Sequence, residues 1–386
     1  MDKKGFQTRA IHVGSHPDEG TGAVTPPMHL SSTFEQKSVG VHQGFDYSRA
    51  GNPTRKRFEN NIASLEGAKF GISFASGMAA ITALFQTLKN GDHVIIGRNV
   101  YGGTYRMATE VLKKHGFEFD FVDTRSIQNI KLAIKENTKW IFAETPTNPL
   151  LELCDIQAIS DLCSDKNIYL AIDNTFMSPY GQSPLSMGAD IVMHSATKFI
   201  GGHSDLVAGV LITDNSTLAD QLYFIQKSGG AVPSPFDCWM LLRSTKTIGL
   251  RVQKHSDNAV KVANYLQDLS SVKSVIYPGL ENHSQHELAS RQQKNPNGKS
   301  IYGSIVSFEC DSLRARDIFL ERIELFTLAE SLGGVESLIC APYDMTHASV
   351  PKELKISMGL SKNLLRLSVG IENVQDLLDD IGQALQ

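Results

Sequence analysis

Between residues 57 and 250, short β-rich runs alternate with helix-like stretches, and no other feature constrains the fold so strongly. The runs FGISFAS, DHVIIG, EFDFVD, KWIFAET, IYLAID, DIVMHS and AGVLIT are separated by segments such as AAITALFQTLKN and YRMATEVLKKHG. A strand that rejoins its sheet in the same direction needs a crossover, usually a helix. The spacing therefore predicts an α/β layer around a mostly parallel sheet. Near 235–268 the text becomes long and helical. Beyond it, SIVSFEC, ELFTLAES and LLRLSVG mix with LRARDIFLERI and VQDLLDDIGQALQ, as in a smaller α+β domain. A chain of 386 residues is long for a single core. The expected division is an extended N-terminal arm over 1–56, rich in Gly, Pro, Ser and Thr and packed on something else, an α/β domain over 57–250 and a C-terminal α+β domain over 251–386.

Charge and cysteine usage exclude several classes. A formal charge of −4 argues against a general nucleic-acid binder. No apolar run is long enough to cross a bilayer, so no membrane role is expected. MDKKGFQTRAIHVG lacks the apolar stretch of a secretory signal. Cys154, Cys163, Cys238, Cys310 and Cys340 are odd in number and widely spaced, with no C-x-x-C pair. They read as reduced, buried thiols of a cytoplasmic protein rather than a disulfide or zinc framework.

Lys198 raises the chemical question. It follows the apolar run 189–193 and sits among Ser195, Thr197, Phe199 and two glycines, with no other Lys or Arg within ten residues. Burial disfavours a charged amine and makes the neutral form available, which condenses with carbonyls. An isolated lysine at a strand end more often snorkels to solvent. Asp173 changes the balance, because it ends another apolar run, 168–172, and ligands of open α/β sheets bind outside that strand edge. An amine and a carboxylate in one crevice are what pyridoxal phosphate requires: an imine anchor, and a partner for the pyridine nitrogen. Alone, Asp173 would read as a turn residue before Asn174 and Thr175.

A phosphate cradle is legible as well. FGISFAS followed by Gly77 and Met78 reads as strand, turn and helix N-terminus, where N–H groups favour an anion. Ser195 and Thr197 are candidate hydroxyl donors. Tyr101, in NVYGGTYR, follows DHVIIG at the same sheet edge, where an aromatic ring can stack on a planar cofactor; simple packing is the commoner role.

These residues lie in longer motifs: YSRAGNPTR, FASGMAA, YGGTYR, ETPTNP, DNTF, HSATK with GGHSD, LFTLAESLGGVESL and LLRLSVGIE. Together they resemble the Cys/Met-metabolism PLP-dependent enzymes over nearly the whole chain. The resemblance implies the aspartate-aminotransferase-like fold (PLP fold type I) and carbon–sulfur chemistry on a small amino acid. It implies that Lys198 forms the Schiff base, Asp173 faces the pyridinium, and Tyr101 stacks on the ring and assists proton transfer. Gly77, Met78, Ser195 and Thr197 would hold the phosphate, joined by Tyr47 and Arg49 from a neighbouring subunit's arm. Arg366, helped by Ser331 and Asn148, would clamp the substrate carboxylate. The family is typically a homotetramer of two active dimers.

Within that family, Gly103 stands where methionine γ-lyases usually carry Cys. Glu330 stands where enterobacterial cystathionine β-lyases have an aromatic residue. An acid there would face the distal ammonium group of cystathionine, with Asp46 as a second acid just before Tyr47. DNTFMSPY, AVPSPFDC and THASVP resemble γ-lyases most, so γ-elimination of cystathionine is the expectation. Cystathionine β-lyase and γ-synthase activities are alternatives. A silent binding protein of the same fold would have no physical need for the Lys198–Asp173 pair, and Glu330 disfavours an aminotransferase. HSQH at 283–286 lacks a third ligand at suitable spacing, so no metal is expected. His194 and His203 read equally as packed core or as groups behind the lysine.

Overall fold

The computed structural model describes residues 4–385 apart from 165, 349 and 351. A small exposed hairpin, β1 (Gln36–Ser38) and β2 (Val41–His42), lies in the arm. The main sheet contains β3 (Phe70–Phe74), β4 (His93–Gly97), β5 (Glu118–Val122), β6 (Thr138–Glu144), β7 (Tyr169–Asp173), β8 (Ile191–Ser195) and β9 (Gly209–Thr213). Its order is β3-β9-β8-β7-β6-β4-β5. The pairs β4–β5, β4–β6, β6–β7 and β7–β8 are parallel, and β9 is antiparallel to both its neighbours.

Both faces of this sheet are covered, which explains why its strands read as continuous apolar runs. Successive side chains enter opposite layers. Val94, Ile96 and Phe142 pack in one cluster, whereas Ile95 and Ile141 pack in another.

The smaller sheet holds β10 (Val272–Ile276), β11 (Ile305–Cys310), β12 (Thr327–Leu328), β13 (Leu338–Cys340) and β14 (Leu364–Ser368), in the order β10-β11-β14-β13-β12. The 20-residue helix Ile248–Gln267 joins the two regions. Its start places the expected boundary at 250 inside its first turn.

The arm is not extended throughout. Its first described part forms helix α1 (Phe6–His12), because Phe6 and Ala10, four apart, make an apolar face buried in the chain's own core. Residues 52–55 of YSRAGNPTR build the start of α2 (Pro53–Glu66). The Asn52 side chain accepts from the N–H groups of Thr54 and Arg55, and Pro53 occupies the first turn. ELFTLAES is strand only over β12, and YRMATEVLKKHG contributes a short helix followed by a π-helical and a 3₁₀ turn, 107–115.

Candidate active site

The site is the crevice at the carboxyl ends of β6, β7 and β8. Glu144, Asp173 and Ser195 end these three neighbouring strands, and all three line a cavity of about 250 Å³. Side chains of the smaller domain, Glu330, Ser331 and Arg366, close the same cavity.

Lys198 lies in the turn after β8. Its N–H donates to the Ser195 carbonyl (3.1 Å), and its carbonyl accepts from Gly202 N–H (2.7 Å). The amine donates to Ser331 Oγ at 2.9 Å. Burial, and then the nearby Arg366 charge, lower its pKa to about 8, with Glu330 opposing. The turn is fixed from behind by Arg251, whose guanidinium donates to the carbonyls of Phe199 (2.7 Å), Ile200 (3.4 Å) and Ser244 (3.0 Å). Gly202 has φ +68°, and a Cβ there would lie 2.0 Å from the Arg251 guanidinium.

Asp173 is 6% exposed. Its Oδ1 accepts from both N–H (3.0 Å) and Oγ1–H (2.5 Å) of Thr175, and Thr175 Oγ1 in turn accepts from Ser195 N–H at 2.9 Å. Burial pushes the carboxyl above its ordinary value against those two donations.

The turn after β3 leads into α3 (Gly77–Phe85), capped by Ser76, whose hydroxyl accepts from Ala79 N–H at 3.0 Å. Gly77 and Met78 occupy its first two positions, where N–H groups have no acceptor within the helix. A Cβ on Gly77 would approach Ser195 Cβ to 3.1 Å. Ser195 thus lies against the helix start. Thr197 also lines the cavity, but its hydroxyl is engaged with the backbone of Ala208, donating at 3.2 Å and accepting at 3.0 Å.

Tyr101 precedes α4 (Gly102–Arg106), lines the cavity and is 43% exposed. Arg366, on β14, is 2% exposed. It donates to Asn148 Oδ1 (2.9 Å) and to the Ser331 carbonyl (2.6 Å), while its Nε is buried without a partner. A buried guanidinium N–H that lacks an acceptor marks where an anion belongs.

The structure does not bring Asp46, Tyr47 and Arg49 to this cavity. Tyr47 is 47% exposed, with the Arg49 guanidinium 5.6 Å above its ring, and Arg49 donates to the Lys227 carbonyl. Asp46 Oδ1 accepts from Tyr47 N–H at 2.6 Å.

His194 is off the cavity, its Nε2 2.5 Å from Glu66 Oε1, and His203 Nδ1 bonds the Gly201 carbonyl. His283 Nδ1 accepts from Gln285 N–H, and His286 Nδ1 bonds the Pro278 carbonyl. No group of three metal-ligating side chains occurs among the described residues. Of THASVP, Ser349 and Pro351 lie outside them.

Sequence reasoning missed Glu144, Thr175 and Arg251. Thr175 had a signal, since a hydroxyl two residues after an Asp can bond it locally. The other two owe their roles to contacts distant in sequence.

The model of the Cys/Met metabolism PLP-dependent enzyme family matches residues 7–386. A cystathionine gamma-lyase of Dictyostelium discoideum is 52% identical over 98% of this chain and 97% of its own. A cystathionine beta-lyase of Lactococcus lactis subsp. cremoris (strain MG1363) is 47% identical over 99% of both. The crystal structure of cystathionine gamma-lyase from Lactobacillus plantarum complexed with L-serine superposes with a TM-score of 0.95 at 42% identity, covering 99% of this chain and 98% of that one. A match of this length carries the fold, the cofactor class and the motifs together, and the chain belongs to the family of Cys/Met-metabolism PLP-dependent enzymes.

Proposed function

We propose that this chain is a carbon–sulfur lyase that cleaves L-cystathionine by γ-elimination to cysteine, 2-oxobutanoate and ammonia. The observation that carries this reading is the convergence of an amine (Lys198), a buried guanidinium with an unused N–H (Arg366) and a carboxylate (Glu330) on one cavity.

The residues present fit pyridoxal phosphate. The α3 start, with a glycine that tolerates no larger residue without displacing Ser195, suits its phosphate. Asp173, oriented through Oδ1 by Thr175, suits its ring nitrogen. Tyr101 suits the ring face. When bound, the cofactor supplies an electron sink for the pair left at the substrate's Cα.

The chain's own groups do the rest. Arg366, whose side chain lines the cavity, holds the α-carboxylate. Lys198, whose amine burial shifts towards the neutral form, takes the Cα proton. Ser331 holds that amine within reach of the cavity. Glu330 receives the distal ammonium group, which places the γ-carbon rather than solvent beside Lys198 and Tyr101. A second proton is then lost from Cβ, which lets the Cγ–S bond break, and Lys198 or Tyr101 returns a proton to the departing thiolate.

We infer further that the working particle is a homotetramer of two active dimers. Asp46, Tyr47 and Arg49 then reach a neighbouring subunit's cavity, and their position on the exposed arm, away from their own cavity, supports this. A cytoplasmic setting belongs to the same reading, supported by five unpaired, buried cysteines.

The β-lyase reading rests on the Lactococcus relative and on chemistry, since β-elimination needs only the first deprotonation. Incubation with L-cystathionine and mass spectrometry of the keto acid decides. 2-Oxobutanoate with cysteine is expected; pyruvate with homocysteine would replace γ- by β-elimination.

A further inference from the structure

Glu144 ends β6 beside Asp173 on β7, lines the cavity and is 5% exposed. Both its oxygens are used, each on the backbone of a different segment. Oε2 accepts from Tyr101 N–H at 2.8 Å, and Oε1 from Asn148 N–H at 3.1 Å. From Asn148 the contacts continue without a break. Its Oδ1 accepts from Arg366, Arg366 donates to the Ser331 carbonyl, and Ser331 Oγ accepts from the Lys198 amine. One chain of hydrogen bonds thus runs from the residue facing the ring to the substrate clamp and on to the amine.

The cost of this arrangement shows that it is specified. Burial, followed by the neighbouring Asp173 charge, pushes the Glu144 carboxyl well above its ordinary value, and the two N–H donors counter only part of this. A purely structural partner for two backbone N–H groups would not need to be a carboxylate next to another carboxylate. Only a group with two acceptor oxygens in one plane can hold both segments at a fixed separation. A glutamine offers one acceptor and sets an N–H against the other donor.

We propose that Glu144 is a positioning residue that holds Tyr101 and the Asn148–Arg366 clamp in mutual register. Ring stacking and substrate carboxylate binding are then set by a single side chain. This rests on the roles given above to Tyr101 and Arg366. Glu144 acts through those residues and takes no proton in the reaction.

The test uses Glu144→Gln and Glu144→Asp in the full chain. The Gln variant keeps the reach and loses an acceptor. The Asp variant keeps the carboxyl group and withdraws both oxygens by one methylene. Three readouts are needed: the dissociation constant of pyridoxal phosphate titrated into cofactor-free protein, the visible circular dichroism of the bound cofactor, and KM and kcat for L-cystathionine. Each variant is expected to bind the cofactor about tenfold more weakly, with reduced dichroism, and to raise KM about tenfold. If the Gln variant does not fold, the Asp variant decides alone. Wild-type dichroism and KM in the folded variants would overturn the proposal, even with a lowered melting temperature. A wild-type chain that bound no pyridoxal phosphate would overturn the parent reading and this one with it.

Discussion

The amine of Lys198, in the large domain, donates to Ser331 Oγ, in the smaller one, at 2.9 Å. A buried lysine without an acceptor would be costly, and a serine hydroxyl satisfies it without adding the counter-charge that would keep it protonated. The same serine's carbonyl accepts from Arg366. The Lys198 amine and the Arg366 guanidinium are therefore both held by one residue from the other side of the crevice.

Replacing Lys198 by Ala should lower kcat by about 10⁴-fold or more, since the variant has no amine at the substrate's Cα. Keto-acid release measured at saturating cystathionine checks this. Near-normal turnover would remove Lys198 from the centre of the reading.

In the cofactor-free protein, Lys198→Met has a second consequence. The folded pKa of about 8 lies below the ordinary value of 10.5, so the unfolded chain binds more protons between them. Stability gained from the neutral amine is present above about 10.5 and is lost as pH falls through 8. The Met variant should therefore be more stable than wild type at pH 7, and the gap should narrow at pH 10. Urea midpoints at the two pH values measure it; a constant gap would contradict the buried-amine account.

His255 gives an acid-side counterpart. It is fully buried, its Nδ1 2.7 Å from the Val369 carbonyl, and burial lowers its pKa to about 4 from 6.5. The unfolded chain again binds more protons between the two values, so stability is lost as pH falls from 6.5 to 4. His255→Asn, which keeps a donor for Val369, should flatten the melting temperature across that range.

How far these features were legible in the sequence depends on the reach of their contacts. The main sheet was legible because its strands are buried on both faces: KWIFAET could hardly be anything but a central strand. Lys198 and Asp173 were legible because Asp173 ends such a strand and Lys198 comes three residues after another. Glu144 also ends a strand, yet its role arises only when ETPTNP turns back to offer Asn148 N–H and when Tyr101 arrives from after β4. Arg251 looked like an ordinary polar position on a long helix, and only the fold sets it against Gly202 and the lysine turn. ELFTLAES reads as a strand by composition, but only β12 pairs, because Glu330 and Ser331 leave the sheet to enter the cavity.

Arg251→Met should cost about 3 kcal/mol, because it strips buried carbonyls of Phe199, Ile200 and Ser244 of their donor. Gly202→Ala pushes a methyl group into the same guanidinium. The two act on one contact, so the double variant should lose less than the sum of the singles. Additive losses in chemical denaturation would show that the residues work independently.

Gly103 tests why a side chain is absent beside Tyr101. A Cβ there would stand 2.5 Å from the Tyr101 ring and 2.6 Å from Met78 Sδ, so both must give way. Gly103→Cys should therefore displace Tyr101 and, if Tyr101 has the role proposed for it, lower kcat/KM for cystathionine by roughly 10–100-fold, with little change in melting temperature. Unchanged kinetics would mean that the position of the Tyr101 ring does not limit turnover.

Ser331 sets stability against function most directly. Its φ of +85° lies in the left-handed region, which costs a residue with a Cβ roughly 1–2 kcal/mol. The strain is tolerated because this conformation sends the carbonyl to Arg366 and the hydroxyl to Lys198 at once. Ser331→Gly relieves the strain and keeps the carbonyl, so the clamp should survive and the melting temperature should hold or rise. The lysine loses its acceptor, so kcat should fall about tenfold while KM changes little. A loss confined to KM would instead assign the Ser331 hydroxyl to the substrate carboxylate, with Lys198 placed by its own turn.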